Sequence, residues 1–452
     1  MNHSNFSWFS IFRLGLVQTA LGAVVVLTTS TLNRIMVVEL ALAAMLPGAL
    51  VTLYHAMQLF RPRMGYGSDV GQRRTPWIVG GMIALAGGGL GAAAATAVME
   101  SYFLPGLALA IVSYTLIGAG VSAAGTSLLV LMAKRVAAER RGAAATVVWM
   151  MMIAGFAITA TVAGKLLDPF SSARLLAVAA GIAVVSITIT VVAMWRLEGR
   201  TEVGSSAADA PSPRTENKKD RAAFWAALAQ VWSEPNARRF TVFVFVSMLA
   251  YSAQDLILEP FAGSVFDFSP GESTALAGTQ HGGIFAGMLL VAIVTSVFKN
   301  TPLASLKGWV IGGCIASGIA MLGLFVAGVR GGAWPLEANV FVLGVANGAF
   351  SIAAIAGMMS LAGQGRTARE GTRMGIWGAA QAIAMAAGGF LGTALVDVVK
   401  WGSDLSGGAY AFVFGLEALA FFVAQYIAWK TAFVRQERRS SALQGSYAAG
   451  QV

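Results

Sequence analysis

Asp255 and Glu259 stand four residues apart in an otherwise apolar stretch, AYSAQDLILEPFAG. On a helix that spacing puts both carboxyls on one face. Some 220 residues earlier, TLNRIMVVEL (Thr31–Leu40) offers Arg34 and Glu39 in a similar setting. An ionised side chain at membrane depth costs several kcal/mol, so it pairs or faces a polar cavity. Arg34 is therefore expected to oppose Asp255, and Arg34, Glu39, Asp255 and Glu259 to form one paired cluster. Two roles are open to it. It can be a structural clamp without a ligand, or a site where Asp255 or Glu259 exchanges a proton during movement of a solute. Glu417, inside the last apolar stretch, is a candidate for either role.

The elements that must position these groups are membrane spans. The 452 residues are 57% hydrophobic and only 12% charged, against roughly a quarter charged in soluble domains. A spanning helix needs ~20 apolar residues to cross ~30 Å of hydrocarbon. Charge-free stretches of that kind run Leu14–Asn33, Leu40–Phe60, Trp77–Met99, Ser101–Ala133, Ala143–Gly164 and Leu175–Trp195, then Thr274–Phe298, Gly308–Val329, Ala338–Gly365 and Met374–Val396. A short one, Phe240–Gln254, ends at Asp255, and Leu405–Trp429 is interrupted by Glu417, which makes twelve. Fifty-three glycines suit helices held together by close packing. The single Cys314 permits no intramolecular disulfide. The first apolar run is read as a helix and not as a cleaved leader.

The net charge of +10 could suggest nucleic acid, but its distribution argues otherwise. With both termini cytoplasmic, 26 of the 31 Lys and Arg fall on the cytoplasmic side. That bias is a topology signal, with attraction to anionic membrane lipid added. No nucleic-acid role is expected.

The polar segment Leu197–Arg221 has the composition of a linker, and Phe224, Trp225, Leu228 and Trp232 after it fit an amphipathic helix at the membrane surface. The expected organisation is a six-helix bundle over 1–196, a cytoplasmic linker over 197–238, a second six-helix bundle over 239–431 and a cytoplasmic tail over 432–452. The halves echo each other. Arg140-x-Gly142 precedes a span ending at Asp168, and Arg369-x-Gly371 precedes one ending at Asp397 with the same internal spacing. Two parallel six-helix repeats are the plan of major-facilitator proteins, so the expected fold is an all-α membrane protein of that kind.

The loop RPRMGYGSDVGQRRTP (Arg61–Pro76) resembles the major-facilitator loop motif through Gly65, Asp69, Arg73 and Arg74. Carboxylate and guanidinium groups at neighbouring helix ends can latch one conformation. A solvated basic loop serving only topology is the other reading, and Val70 departs from the motif. Only His55 and His281 lie in spans. A neutral imidazole can ligate the magnesium of a chlorophyll, although a lone histidine more often bonds a neighbouring helix. No hydrolase triad, phosphate-cradling loop or metal cluster is visible, so no enzymatic activity is expected.

Three segments carry a more specific resemblance: TLNRIMVVEL (Thr31–Leu40), GYGSDVGQRRTP (Gly65–Pro76) and AQDLILEPFAG (Ala253–Gly263). They resemble the signature segments of the PucC/LhaA family, a major-facilitator offshoot of phototrophs, over essentially all twelve spans. The resemblance implies a factor that assembles bacteriochlorophyll-binding light-harvesting complexes in the bacterial inner, intracytoplasmic photosynthetic membrane. It implies bacteriochlorophyll or a related chlorin as the pigment. Antenna or reaction-centre polypeptides would be partners, and the client could also be the pigment-synthesis machinery, bacteriochlorophyll synthase. Asn33, Arg34 and Glu39 match the first signature, and Gln254, Asp255, Glu259 and Pro260 the second. Their oxygens could reach magnesium directly or through water, and Arg34 could bond a chlorin carbonyl. A major-facilitator secondary transporter of a small solute, coupled to protons, is the alternative.

Overall fold

A computed structural model describes residues 6–60, 73–137, 140–198, 232–298, 301–332, 334–362, 370–402 and 406–431. Twelve helices cross the molecule back and forth. They are α1 (Trp8–Glu39), α2 (Met45–Met57), α3 (Thr75–Met99), α4 (Phe103–Arg135), α5 (Arg141–Leu166), α6 (Ser172–Met194), α7 (Pro235–Val265), α8 (Pro270–Val297), α9 (Leu306–Arg330), α10 (Leu336–Ala362), α11 (Glu370–Gly402) and α12 (Ser406–Lys430). Eleven are long and apolar enough to span a bilayer, and α2 is a shorter apolar helix. The face where α1 begins and α12 ends is here the base; the opposite face is the crown.

Backbone groups in hydrocarbon must be bonded internally, so a helix continues through polar residues that would otherwise end it. That corrects two expected boundaries. α1 does not stop at Asn33 but runs to Glu39, and α7 does not stop at Gln254 but runs to Val265 through an internal Pro260. Arg34, Asp255 and Glu259 therefore lie within helices and not at their ends. α1 achieves its extra length with two π-helical stretches, Leu27–Thr31 and Ile35–Glu39, on either side of Leu32–Arg34. Such widened turns concentrate at functional sites.

Each half has its own core. One is built from buried apolar residues between Phe6 and Leu197, with Leu256 of α7 added. The other is built from residues between Ala237 and Ala428, with Ile153 of α5 added. The halves meet where α1 crosses α7 and α8, where α5 packs on α8, and where α2 packs on α11. Glycine makes the α5–α8 crossing possible. A Cβ on Gly164 would stand 2.6 Å from the Gly271 carbonyl oxygen, and one on Gly271 equally close to the Gly164 carbonyl oxygen.

Candidate functional site: the crown where the halves meet

The π-helical turns of α1 press Asn33 and Arg34 into the boundary between halves, where they are 0% and 2% exposed. Asn33 Nδ2 donates to the Leu256 carbonyl of α7 at 2.5 Å. Arg34 pairs with Glu39 one turn on, and its second terminal nitrogen donates to the Phe268 carbonyl at 2.5 Å, in the turn between α7 and α8. Gly263 of α7 leaves the space for that guanidinium, since a Cβ there would lie 2.9 Å from Arg34 Nε. Thr274 Oγ1 of α8 bonds Thr31 Oγ1 of α1 at 3.1 Å.

The expected cluster forms in part, with different partners. Arg34 is held by Glu39 and not by Asp255, because Asp255 lies deeper, on the turn of α7 before Glu259. Asp255 instead accepts from Gln280 of α8 at 3.3 Å. Glu259 is 2% exposed and interacts electrostatically with both Arg34 and Asp255, yet neither of its oxygens has a hydrogen-bond partner. Gln254 is fully buried beside them. Asn33 Oδ1 and Arg34 Nε are also buried without a partner, so the α1–α7 crossing holds donors and acceptors that could serve another molecule.

The crown is closed by carboxylates as well. Asp397, near the end of α11, accepts from the backbone N–H of Ala44 at 3.0 Å and of Met45 at 2.7 Å. It thereby caps α2 across the boundary between halves, where the helix end presents unbonded N–H groups. Deeper in, Thr52 Oγ1 of α2 donates to the Ala386 carbonyl of α11 at 3.1 Å. The repeat-related Asp168 lies against Gly271, in the first turn of α8. Sequence reading noted Asp168 and Asp397 as span ends at matching positions. Their place against the first turn of a helix in the other half is visible only in the structure.

The base is arranged differently. Gly65 and Asp69 lie outside the described residues, as do the linker and Phe224, Trp225 and Leu228 of the expected surface helix. Arg73 is exposed at the start of α3. Arg74 forms an ion pair with Glu198, which follows α6, at 3.9 Å. The Glu198 carboxylate also accepts from the N–H of Arg74 at 2.6 Å and from the N–H and hydroxyl of Thr75 at 2.8 and 2.6 Å. Burial alone would raise the Glu198 pKa, but those bonds and the Arg74 charge together hold it below the usual carboxylate range. In the other half Arg373 of α11 makes a two-pronged pair with Glu234, at 2.8 and 3.1 Å. Glu198, Glu234 and Arg373 were not singled out from sequence.

The two histidines differ in setting. His55 is half-buried, with Nδ1 3.2 Å from Gln58 Nε2 and its ring 4.5 Å from Tyr54. His281 is buried on α8; its Nδ1 lies 2.9 Å from the Ala277 carbonyl, and Phe156 of α5 packs edge-on at 5.0 Å. Donation from Nδ1 leaves Nε2 as the lone-pair nitrogen, the form that ligates magnesium. The nitrogen chemistry fits a chlorin, and the imidazole is buried where α5 and α8 meet.

Comparison with known proteins agrees with this architecture. The fold matches a crystal structure of the peptide transporter POT in complex with sulfate, with a TM-score of 0.66 over 93% of this chain and 94% of that one at 15% identity. At that identity the likeness shows the major-facilitator fold alone. The chain is 48% identical over 422 residues to the "Bacteriochlorophyll synthase 44.5 kDa chain" of Rhodobacter capsulatus, covering 93% of this chain and 95% of the relative. It is 28% identical over 434 residues to "Protein PucC" of Cereibacter sphaeroides, covering 92% and 90%. The family model described as "PUCC protein" matches residues 31–436, so nearly the whole twelve-helix body carries the family pattern, and the chain belongs to the PucC family.

Proposed function

We propose that this protein is a non-enzymatic assembly factor for bacteriochlorophyll-protein complexes, one that handles or delivers bacteriochlorophyll to antenna or reaction-centre polypeptides. The observation that carries this reading is the full-length likeness to PucC proteins and to a chain named for bacteriochlorophyll synthase. Bacteriochlorophyll synthase itself is a proposed partner on the same ground. The proposed setting is the bacterial inner, intracytoplasmic membrane, with base and termini cytoplasmic, as the 26-to-5 split of Lys and Arg favours.

Within this reading the chain supplies position and polarity. His281 presents a lone-pair nitrogen, Asn33 Oδ1 an acceptor, and Arg34 Nε a donor suited to a chlorin carbonyl. When bound, the pigment would supply a magnesium able to take a lone pair, and His281 is the residue that would offer it, with Phe156 packed edge-on against its ring.

Purification from a phototrophically grown host tests the proposal. Bacteriochlorophyll is expected to co-purify and show in near-infrared absorbance, with less of it in His281→Ala. A colourless protein that accumulates a solute with protons would favour the second reading, a secondary transporter. One observation favours that alternative: the halves are closed at the crown in a fold shared with a peptide transporter.

A further inference from the structure

One short pattern occurs in both halves, at the start of equivalent helices. Trp77-x2-Gly80-Gly81-x2-Ala84 opens α3, and Trp309-x2-Gly312-Gly313-x2-Ala316 opens α9. Each lines an apolar surface groove, about 320 Å³ between α3 and α4 and about 460 Å³ between α9 and α10. The facing walls correspond as well, Ala119, Gly120 and Ala123 of α4 standing where α10 has Val345, Ala346 and Ala349. The second glycine of each pattern serves the chain's own packing. A Cβ on Gly81 would stand 2.6 Å from the Ala124 nitrogen, and one on Gly313 2.7 Å from the Phe350 Cβ. The first glycine does not, since a Cβ on Gly80 or Gly312 would meet nothing within 4 Å. Both are exposed and keep the groove floor open to the membrane.

The grooves differ at their base ends. Ser127 lies one turn beyond Ala123 on the same face of α4. The contacts of Gly81 with Ala124 and of Gly88 with Ile117 set a register that brings Ser127 level with the start of α3. Ser127 is 0% exposed, and its hydroxyl has no hydrogen-bond partner. Arg73 is exposed just before α3 begins. Arg74, Lys134 and Arg135 gather at the same end, and among the described residues Glu198 is the acid that meets them. In the α9–α10 groove Ser305 takes the place of Arg73, and Ala353 that of Ser127.

An apolar trough, an unsatisfied hydroxyl and a cationic mouth, in that order, match an amphiphile with a chain, a carbonyl neck and an anionic head. From Trp77 to Ala84 the trough runs ~10 Å, enough for part of an acyl chain. A buried hydroxyl gains by donating to a carbonyl, and guanidinium groups favour phosphate. We propose that the α3–α4 groove is a binding site for an anionic phospholipid. Its acyl chain lies along Gly80 and Ala84, an ester carbonyl accepts from Ser127, and the phosphate sits at Arg73. The α9–α10 groove takes chains without regard to head-group charge. The site goes beyond the pigment reading and does not depend on it, since a colourless protein would keep both grooves.

Native mass spectrometry of the purified protein, given equal amounts of phosphatidylglycerol and phosphatidylcholine in detergent, tests it. The wild type is expected to retain phosphatidylglycerol over phosphatidylcholine about fivefold, the selection one basic side chain supplies at a membrane surface. Arg73→Gln, at an exposed position, should retain the two equally. Gly80→Phe, which points into open space, should abolish the selection, and Gly312→Phe should leave it intact. Ser127→Ala should lower phosphatidylglycerol retention without lowering the melting temperature, because the lost hydroxyl has no partner in the chain. Equal retention of both lipids by the wild type overturns the proposal. So does selection that survives Gly80→Phe or falls as far with Gly312→Phe, or retention unchanged in Ser127→Ala. Release of a co-purifying membrane polypeptide by Gly80→Phe, with lipid selection unchanged, would assign the groove to a partner helix and overturn it too.

Discussion

The crown and the base use the same chemistry to different ends. At the crown, Asn33, Arg34, Thr274, Thr52 and Asp397 each bond across the boundary between halves. At the base, Glu198 ties α3 to the chain after α6 within the first half, and Glu234 ties α7 to α11 within the second. Between described residues, the hydrogen bonds across the boundary run from the crown, at Arg34 and Asp397, down to mid-depth, at Thr52. Bonds across the boundary hold the halves together, whereas bonds within a half keep it rigid while the boundary opens.

The comparison breaks most severely if Arg34 is removed. Arg34→Ala removes the cation facing the buried Glu259 and frees the Phe268 carbonyl, while the exposed Glu39 is left to solvent. Leaving a buried polar group unpaired costs ~1–3 kcal/mol, so a drop in thermal stability is expected in a detergent melt. An unchanged melting temperature would show that the crown does not depend on this residue. Gly164→Val comes next. Its side chain would drive into the Gly271 backbone, and overpacking of that kind costs ~1–3 kcal/mol. Loss of closure, read by cysteine accessibility at the crown, should exceed the loss of stability.

Asp397→Ala should act on closure more than on folding. It removes two cap bonds from α2, an effect of ~1 kcal/mol, and cross-linking between positions 52 and 386 should fall several-fold. Equal loss of cross-linking and of folded protein would mean Asp397 is part of the core and not a clasp. The smallest effect belongs to the base. The Glu198 pKa is lowered in the folded protein, so its stabilisation is present above the ordinary glutamate value of about 4.3. It is lost as the pH falls through the lower folded value. Glu198→Gln should flatten the acid limb of the stability profile and leave the crown cross-link unchanged.

Much of this arrangement was legible in the sequence because spans announce themselves by composition alone. The twelve stretches required nothing beyond residue type, the duplication needed spacing as well, and the segments at Asn33–Glu39 and Gln254–Pro260 stood out through their resemblance to the PucC/LhaA family. Partner choice was not legible. Arg34 and Asp255 looked complementary by charge, but π-helical turns in α1 set the reach of Arg34, and no residue pattern marks such a turn. Glu198 and Asp397 were hidden for a related reason: they bond backbone N–H groups at helix starts, and a backbone partner leaves no trace in composition. The Gly164–Gly271 contact lay among 53 glycines and could not be told apart from them without the crossing itself.

The central claim, a role in building pigment–protein complexes that depends on the crossing of α1 and α7, is tested most directly in the phototrophic host. Membranes from a deletion strain would be measured for light-harvesting absorbance in the near infrared, with the wild-type gene or Arg34→Lys restored. Arg34→Lys keeps the charge but cannot reproduce the forked contact with Glu39 and Phe268. The account predicts that deletion lowers the absorbance, that the wild type restores it, and that Arg34→Lys, present in the membrane at normal levels, restores it only in part. Wild-type absorbance in the deletion strain would contradict the account.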